Sequence, residues 1–475
     1  MLHPKAYKGK QVVVLGLAKS GVAVAQLLDD AGAKVIVNDK KERSLCPEAE
    51  VLEARGIAVV CGEHPVDLIH AEVELVVKNP GIPYSAEPVQ KAIELGIEIV
   101  TEVEVAYHIC KAPIIGITGS NGKTTTTTWV GKMLEAAELF PIVAGNIGRA
   151  LCEAAEEATA ANWMVVELSS FQLKGTSQFK PHIACLLNIY ETHLDYHGSM
   201  DDYIASKAKL FANQTAEDVA ILNWDNDACR KLIPKIQATL IPFSMREALA
   251  IGVFLLKNDQ NEEWVVYRNK AGVSQWIIAT ATLGIPGRHN IENALAATAI
   301  AFSCGVSVEV IAKVLHEFRG VEHRLEFVSI RNEVTFINGS KATNPAATIK
   351  DLEAFKHPIV LIAGGLDRGM EYNELIPYFQ QKLRALVTLG ETKDKLNQVA
   401  EEAGIVCIRS VDNENSSAET LTEAVHIASE LAQPGDIVLL SPACASWDMF
   451  VSYEERGRIF KQAVHNLKLG EVEIS

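Results

Sequence analysis

Ile114-Ile115-Gly116-Ile117-Thr118-Gly119-Ser120-Asn121-Gly122-Lys123-Thr124-Thr125 is an apolar strand that breaks into a glycine loop and closes on Lys-Thr. A helical stretch follows it. Strand, loop, Lys-Thr and helix is the order that cradles phosphate. Backbone N–H groups and the helix N-terminus face the anion, a lysine neutralises it and a hydroxyl reaches Mg²⁺. Lys123 and Thr124 are the expected lysine and hydroxyl; Gly119, Ser120, Asn121, Gly122 and Thr125 complete the loop. The general eight-residue loop needs glycine where Ile117 stands, so this is a shortened form. Thr124 to Thr128 are β-branched and poor for an isolated helix, and hydroxyls crowded at the phosphate end are their expected use.

Outward from the loop, strand-like and helix-like segments alternate. Val12 to Leu15, Val35 to Val37 and Leu75 to Val77 form a first set, closed by a break at Lys111-Ala112-Pro113. Met164 to Val166 and Ile183 to Leu187 continue the loop's own unit. Between Ile251 and Ala279, short runs separated by polar turns read as antiparallel hairpins. After a linker at Arg319-Gly320 the parallel rhythm returns in Ile359 to Ile362, Ala385 to Leu389, Val406 to Ile408 and Ile437 to Leu440. Continuous apolar strands with helices between them imply parallel sheets covered on both faces. The expected architecture is α/β in three domains. Residues 1–111 are Rossmann-like, residues 112–319 are a P-loop ATPase-like domain with a small antiparallel insert, and residues 320–475 are again Rossmann-like.

The chain has 475 residues, enough for about three cores. Its formal charge of −16 argues against binding a nucleic-acid backbone, so an anionic ligand must meet a local positive site. Nine scattered cysteines without a C-x-x-C pair suit a reducing compartment. Met1-Leu2-His3-Pro4-Lys5 leads into Lys8 and Lys10 rather than into a signal-peptide core, and no apolar run reaches membrane length. A cytoplasmic protein without membrane insertion is expected.

Four further motifs carry chemistry. Gly16-Leu17-Ala18-Lys19-Ser20-Gly21, with Asp39 ending the second strand, resembles a dinucleotide fingerprint, but Ala18 replaces the glycine that lets a pyrophosphate approach. A mononucleotide or nucleotide-sugar site and an ordinary tight turn both remain open there. Glu167 ends a strand where P-loop enzymes hold Mg²⁺, against the alternative of a structural pair with a Lys or Arg. His193-Leu194-Asp195-Tyr196-His197 lacks the glutamate of the zinc signature, which leaves His193 as a ligand candidate at a site edge and His197 as a surface residue. Cys444 reads as a buried small residue rather than a nucleophile, no partner histidine being identifiable.

Taken together, Gly119 to Thr125, Glu167 to Leu173, Gly287-Arg288-His289-Asn290, His323-Arg324, Ser340-Lys341-Ala342-Thr343-Asn344 and Ser441 to Asp448 resemble the Mur ligases, in order and across all three domains. The resemblance implies an ATP-dependent ligase that adds D-glutamate to UDP-N-acetylmuramoyl-L-alanine through an acyl phosphate, in peptidoglycan precursor synthesis. It implies UDP-substrate contacts at Ser20, Asp39, Asn79, Gly81 and Asn146, and ATP contacts at Asn290, Asn293 and Arg324. D-glutamate contacts would fall at Lys341, Thr343, Arg368 and Ser446. Two Mg²⁺ would be held by Thr124, Glu167, His193 and a carbamylated Lys207; Lys123, Glu167, His193 and Lys207 form the catalytic set. A monomer whose third domain closes over ATP is expected. One position departs from the family pattern: Gly339 stands where an aspartate contacting the ATP ribose would be. Sibling Mur ligases and folylpolyglutamate synthase, which share the short loop, are the nearest rivals, followed by a nucleotide-binding regulator and a mechanical ATPase.

Overall fold

The computed structural model describes residues 1–412 and 416–467. The chain divides after Phe318 into two compact units.

The first unit holds two sheets. One is parallel throughout, in the order Ala58–Cys61, Lys34–Asp39, Gln11–Leu15, Val73–Lys78 and Glu98–Val100. Val12, Val13, Val14 and Leu15 are almost fully buried, as the unbroken apolar run requires of a strand covered on both faces. The chain adds strands to one side of Gln11–Leu15 and then to the other, which opens a crevice beyond its carboxyl end.

The second sheet has nine strands. Ile114–Thr118 lies between Trp163–Glu167 and Ile183–Leu186, so strand order reverses here as well. The hairpins Gly252–Lys257, Glu263–Arg268 and Ser274–Ala279 are antiparallel, as the polar turns predict. This antiparallel insert is continuous with the sheet. Gly252–Lys257 pairs in parallel with Thr239–Ser244 through Phe243 and Ser244, so the hairpins lengthen the same sheet.

The helix Lys123–Ala136 packs on this sheet. Trp129, Val130, Met133 and Leu134 are fully buried, and the Trp129 ring lies 5.0 Å from that of Phe318. Burial of each such side chain stabilises by roughly 1.5–3 kcal/mol, more than the poor propensity of the threonines costs. The threonine run divides differently from the sequence expectation. Thr126 and Thr127 are fully buried, their hydroxyls find no hydrogen-bond partner among the described residues, and only Thr124 and Thr125 stand at the phosphate end.

The helix Glu102–Ile109 stitches the two sheets together. Glu104 accepts from the N–H groups of Ser177, Gln178 and Phe179 at 2.8–3.1 Å, and Glu102 accepts from that of Cys152. Burial alone would raise the Glu104 carboxyl, but the nearby His108 ring and bonds from Ser177 and Gln178 outweigh it and hold the pKa down to about 2.

The second unit, from Arg319, has one six-stranded sheet. Its order is Glu326–Arg331, Val334–Asn338, Ile437–Leu440, Ile359–Ala363, Leu383–Thr388 and Ile408–Ser410. The sequence predicts a purely parallel rhythm here, whereas Glu326–Arg331 runs antiparallel to Val334–Asn338 at the sheet edge. All nine cysteines are free thiols; Cys61 and Cys407 are among those only partly buried. Among the described residues no helix is long and apolar enough to cross a membrane.

Candidate active site

The loop after Ile114–Thr118 is held by the next strand along. Ser120 N–H donates to the Asn188 carbonyl (3.0 Å) and Asn121 N–H to the Asn188 side-chain oxygen (2.9 Å). Gly122 caps the helix at φ +82°, a left-handed conformation that disfavours any side chain, and a Cβ there would stand 2.1 Å from Oδ1 of Asn293. Asn293 therefore buttresses the loop itself. Asn290 instead donates to the Pro286 carbonyl before its own helix (2.6 Å). Lys123 Nζ donates to the carbonyls of Gly119 and Ser120 at 2.9 and 3.0 Å, which aims the ammonium along the loop.

Glu167 closes the neighbouring strand, 1% exposed, and pairs in register with Ile117. A purely structural role predicts a Lys or Arg partner. Its Oε1 accepts from Asn146 Nδ2 (2.8 Å) instead, and its Oε2 is buried with no hydrogen-bond partner among the described residues. A buried carboxylate oxygen left so is costly unless a cation meets it. Beside the loop, Lys207 is also 1% exposed and donates to the Gly119 carbonyl (2.9 Å) and Thr118 Oγ1 (3.3 Å). Burial and the nearby Lys123 charge drive its pKa well below the ordinary lysine value. A carboxylate oxygen needing a cation and a lysine that gives up its proton readily thus lie at the carboxyl ends of adjacent strands, with the buried Thr124 on the helix that follows the loop. This donor set fits Mg²⁺.

His193 is exposed at φ +58°, capping the short helix Leu194–His197, with its ring 4.9 Å from that of Phe171. His197 is not the surface residue that its sequence setting suggests. It is buried, with Nδ1 2.6 Å from Asp202 and Nε2 3.0 Å from Ser170, and it stacks on Phe171. The short helix turns it inward.

The crevice of the first sheet holds Ser20, Asp39, Asn79 and Gly81 of the residues expected at the UDP end, whereas Asn146 lies beside Glu167 in the second sheet. Asn79 Nδ2 donates to Ser20 Oγ (3.3 Å), and Gly81 N–H donates to Asn79 Oδ1 (3.1 Å). Asp39 accepts from the N–H groups of Leu17 (2.8 Å) and Lys41 (2.9 Å). Gly21 is obligatory, since a Cβ would lie 2.0 Å from the Gly16 carbonyl oxygen. Lys78 escaped the sequence reading. Buried at the end of Val73–Lys78, it donates to the Ile82 carbonyl (2.8 Å) and the Tyr196 hydroxyl (3.1 Å), pinning the Asn79-Pro80-Gly81 turn. Burial, with Lys174 nearby, lowers its pKa to about 7.

In the second unit the residues expected at D-glutamate lie on loops after strands. Thr343 follows Lys341, whose ammonium lies over the Tyr453 ring (5.6 Å), and the Arg368 guanidinium stacks on Trp447 (4.7 Å). Ser446 is buried, and its carbonyl accepts from the N–H groups of Met449 and Phe450. Arg456, which no motif flagged, ties these loops together, donating to the Ser340 hydroxyl (3.1 Å) and carbonyl (2.9 Å) and to the Cys444 carbonyl (3.3 Å). Cys444 is buried between the hydroxyls of Tyr372 and Thr392, and burial pushes its thiol up, which suits an inert residue. Glu322, His323 and Glu326 cluster, but Lys461 donates to both glutamates, so this is an ion-pair network.

Three family models match along the chain. The Mur ligase MurD-like N-terminal domain covers residues 10–101, the Mur ligase middle domain 117–301 and the Mur ligase glutamate ligase domain 323–444. A relative from Geobacillus kaustophilus (strain HTA426) is 49% identical, over 98% of this chain and 100% of its own. Another, from Geobacillus sp. (strain WCH70), is 48% identical over 97% and 99%. Both are named UDP-N-acetylmuramoylalanine--D-glutamate ligase. Among solved structures, UDP-N-acetylmuramate-alanine ligase MurC from Thermotoga maritima shares the fold with a TM-score of 0.54 at 20% identity, covering 97% of this chain and all of that one. MurF from Acinetobacter baumannii does so at 0.52 and 19%, covering 84% and 87%.

Proposed function

The chain belongs to the Mur ligase family, and on that premise we propose that it joins D-glutamate to UDP-N-acetylmuramoyl-L-alanine at the expense of ATP. The observation that carries this reading is the strand-end cluster of the second sheet. There the Lys207 amine meets the phosphate loop, and the Glu167 oxygen, without a hydrogen-bond partner among the described residues, ends the adjacent strand.

A carboxylate resists attack by an amine, so its oxygen must first become part of a better leaving group. The L-alanine carboxylate oxygen attacks the γ-phosphorus of ATP and ADP departs. The uncharged amine of D-glutamate then attacks the acyl carbon, forms the amide, releases phosphate and loses a proton. The loop N–H groups and Lys123 hold the phosphates in line and offset the charge that builds on them, a task of positioning and electrostatics. Thr124, Glu167, His193 and Lys207 would hold two Mg²⁺, which when bound supply further neutralisation of the phosphoryl oxygens. A neutral Lys207 amine can add carbon dioxide, forming an N–C bond and releasing a proton, and the resulting carbamate exchanges a cation for an anion at the metal site.

Ser20, Asp39, Asn79, Gly81 and Asn146 are assigned to the UDP substrate, and Lys341, Thr343, Arg368 and Ser446 to D-glutamate. Asn290, Asn293 and Arg324 are assigned to ATP, with Asn293 acting through Gly122. Residues 1–111, 112–319 and 320–475 are the corresponding domains of a cytoplasmic monomer. Phosphate release measured with UDP-N-acetylmuramoyl-L-alanine, with and without D-glutamate, tests the reading. Sustained release should need both, and release indifferent to either would mark a simple ATPase. Parallel runs with L-glutamate, diaminopimelate and lysine should stay at background.

A further inference from the structure

Position 339 has no room for a side chain. Gly339 follows the strand Val334–Asn338 and donates its N–H to the Leu440 carbonyl at the end of the adjacent strand (2.7 Å). A Cβ on it would stand 2.7 Å from that carbonyl oxygen and 2.7 Å from Oδ2 of Asp351. Asp351 reaches this spot from the helix Pro345–Glu353, and its Oδ2 accepts from the Ser441 hydroxyl (2.8 Å). Within an aspartate, Cβ and a carboxylate oxygen lie roughly 2.4 Å apart by ordinary bond lengths. The Asp351 oxygen thus stands at about the distance from the 339 Cβ position that the oxygen of an aspartate at 339 would have.

The Mur ligase pattern puts an acid at that position to bond the ATP ribose. We infer that Asp351 has taken over this task, so that the ribose carboxylate of this chain comes from a helix rather than from the strand end.

Three observations support the transfer. Gly339 and Ser441 both lie just past the carboxyl ends of parallel neighbouring strands, where sheets of this class receive ligands. Asp351 is only partly buried. Arg324, assigned to ATP on other grounds, is near enough to act electrostatically on the Asp351 carboxyl, which burial lifts to about 7. An aspartate at 339 and Asp351 in its present place would exclude one another sterically.

The inference rests on the ATP-dependent reading above, and the test separates the two. Steady-state phosphate release with both acceptor substrates is measured using ATP, 2′-deoxy-ATP and 3′-deoxy-ATP. Assayed above pH 8, where a carboxyl lifted to about 7 is mostly ionised, the unaltered protein should show a KM about tenfold or more higher for at least one deoxy analogue, the loss expected for a hydrogen bond to a charged group. Asp351→Ala should raise the KM for ATP by a similar factor, erase the discrimination and leave kcat within about twofold. Asp351→Asn keeps the shape and reads the same ratio at intermediate size, should the alanine variant fail to fold. Equal KM values for all three nucleotides in the unaltered protein, or unchanged discrimination in a folded variant, would overturn the inference while ligase activity stands. Absence of release dependent on both acceptors would take down the function reading, and this one with it.

Discussion

Lys207 is buried, with a carbonyl and a hydroxyl as its hydrogen-bond acceptors and the Tyr203 ring 4.8 Å away, and burial together with the nearby Lys123 charge disfavours its ammonium form. The sign of the effect is clear: with the folded pKa depressed, the neutral amine that reacts with carbon dioxide is present at a pH where an exposed lysine is almost wholly protonated. Incubation with ¹³C-bicarbonate should yield a carbamate carbonyl resonance that Lys207→Ala lacks. That variant should also lose about a hundredfold or more in kcat, the scale of removing one charge-stabilising group. Gly122→Ala is a second test at this scale. It imposes a side chain at φ +82° and against Asn293, so strain of about 1–3 kcal/mol should displace the loop. Its melting temperature should fall by a few degrees, and its KM for ATP should rise more than about tenfold. These loop residues were legible in sequence because short motifs hold them at fixed spacing. Lys78, Arg456 and the burial of His197 were not, because each acts through partners distant in sequence, Tyr196, Ser340 and Ser170 respectively.

Among elements, the central strands were legible as apolar runs because both of their faces are covered, as at Val12 to Leu15 and Ile359 to Ile362. The edge strand Glu326–Arg331 was missed because no residue in it is fully buried, so its sequence has no run to display. The stitching helix Glu102–Ile109 was equally silent about its task, since a glutamate that caps three N–H groups reads like any surface acid. Glu104→Ala should lower stability by about 3 kcal/mol or more by stranding those donors, measurable as a urea midpoint shift with the m-value unchanged. Its pH signature has a definite direction. The unfolded carboxyl titrates near 4.5 and the folded one near 2, so in this window the unfolded chain binds more protons. The Glu104 contribution is complete above about 4.5 and lost as pH falls through about 2. Glu104→Gln should flatten that limb of an acid-unfolding curve.

At the scale of the whole molecule, the division after Phe318 puts the phosphate loop in one unit and the residues assigned to D-glutamate in the other. A fragment of residues 1–318 should therefore fold cooperatively and bind ATP, yet release no phosphate in response to D-glutamate, as calorimetry and the release assay would show. An acyl phosphate also needs protection from water, and closure of the third domain over ATP, the expectation stated from the sequence, would supply it. The distribution of thiols offers a way to watch this. Burial raises the pKa of Cys46, Cys110, Cys152, Cys185, Cys229, Cys304 and Cys444 and blunts their reactivity. Cys61 and Cys407, one in each unit, are only partly buried, as are Cys110 and Cys304. With Cys110 and Cys304 replaced by serine, maleimide dyes should settle on Cys61 and Cys407 as a donor and acceptor pair. Energy transfer between them should rise when ATP and both acceptors are added together, and a constant signal would contradict closure.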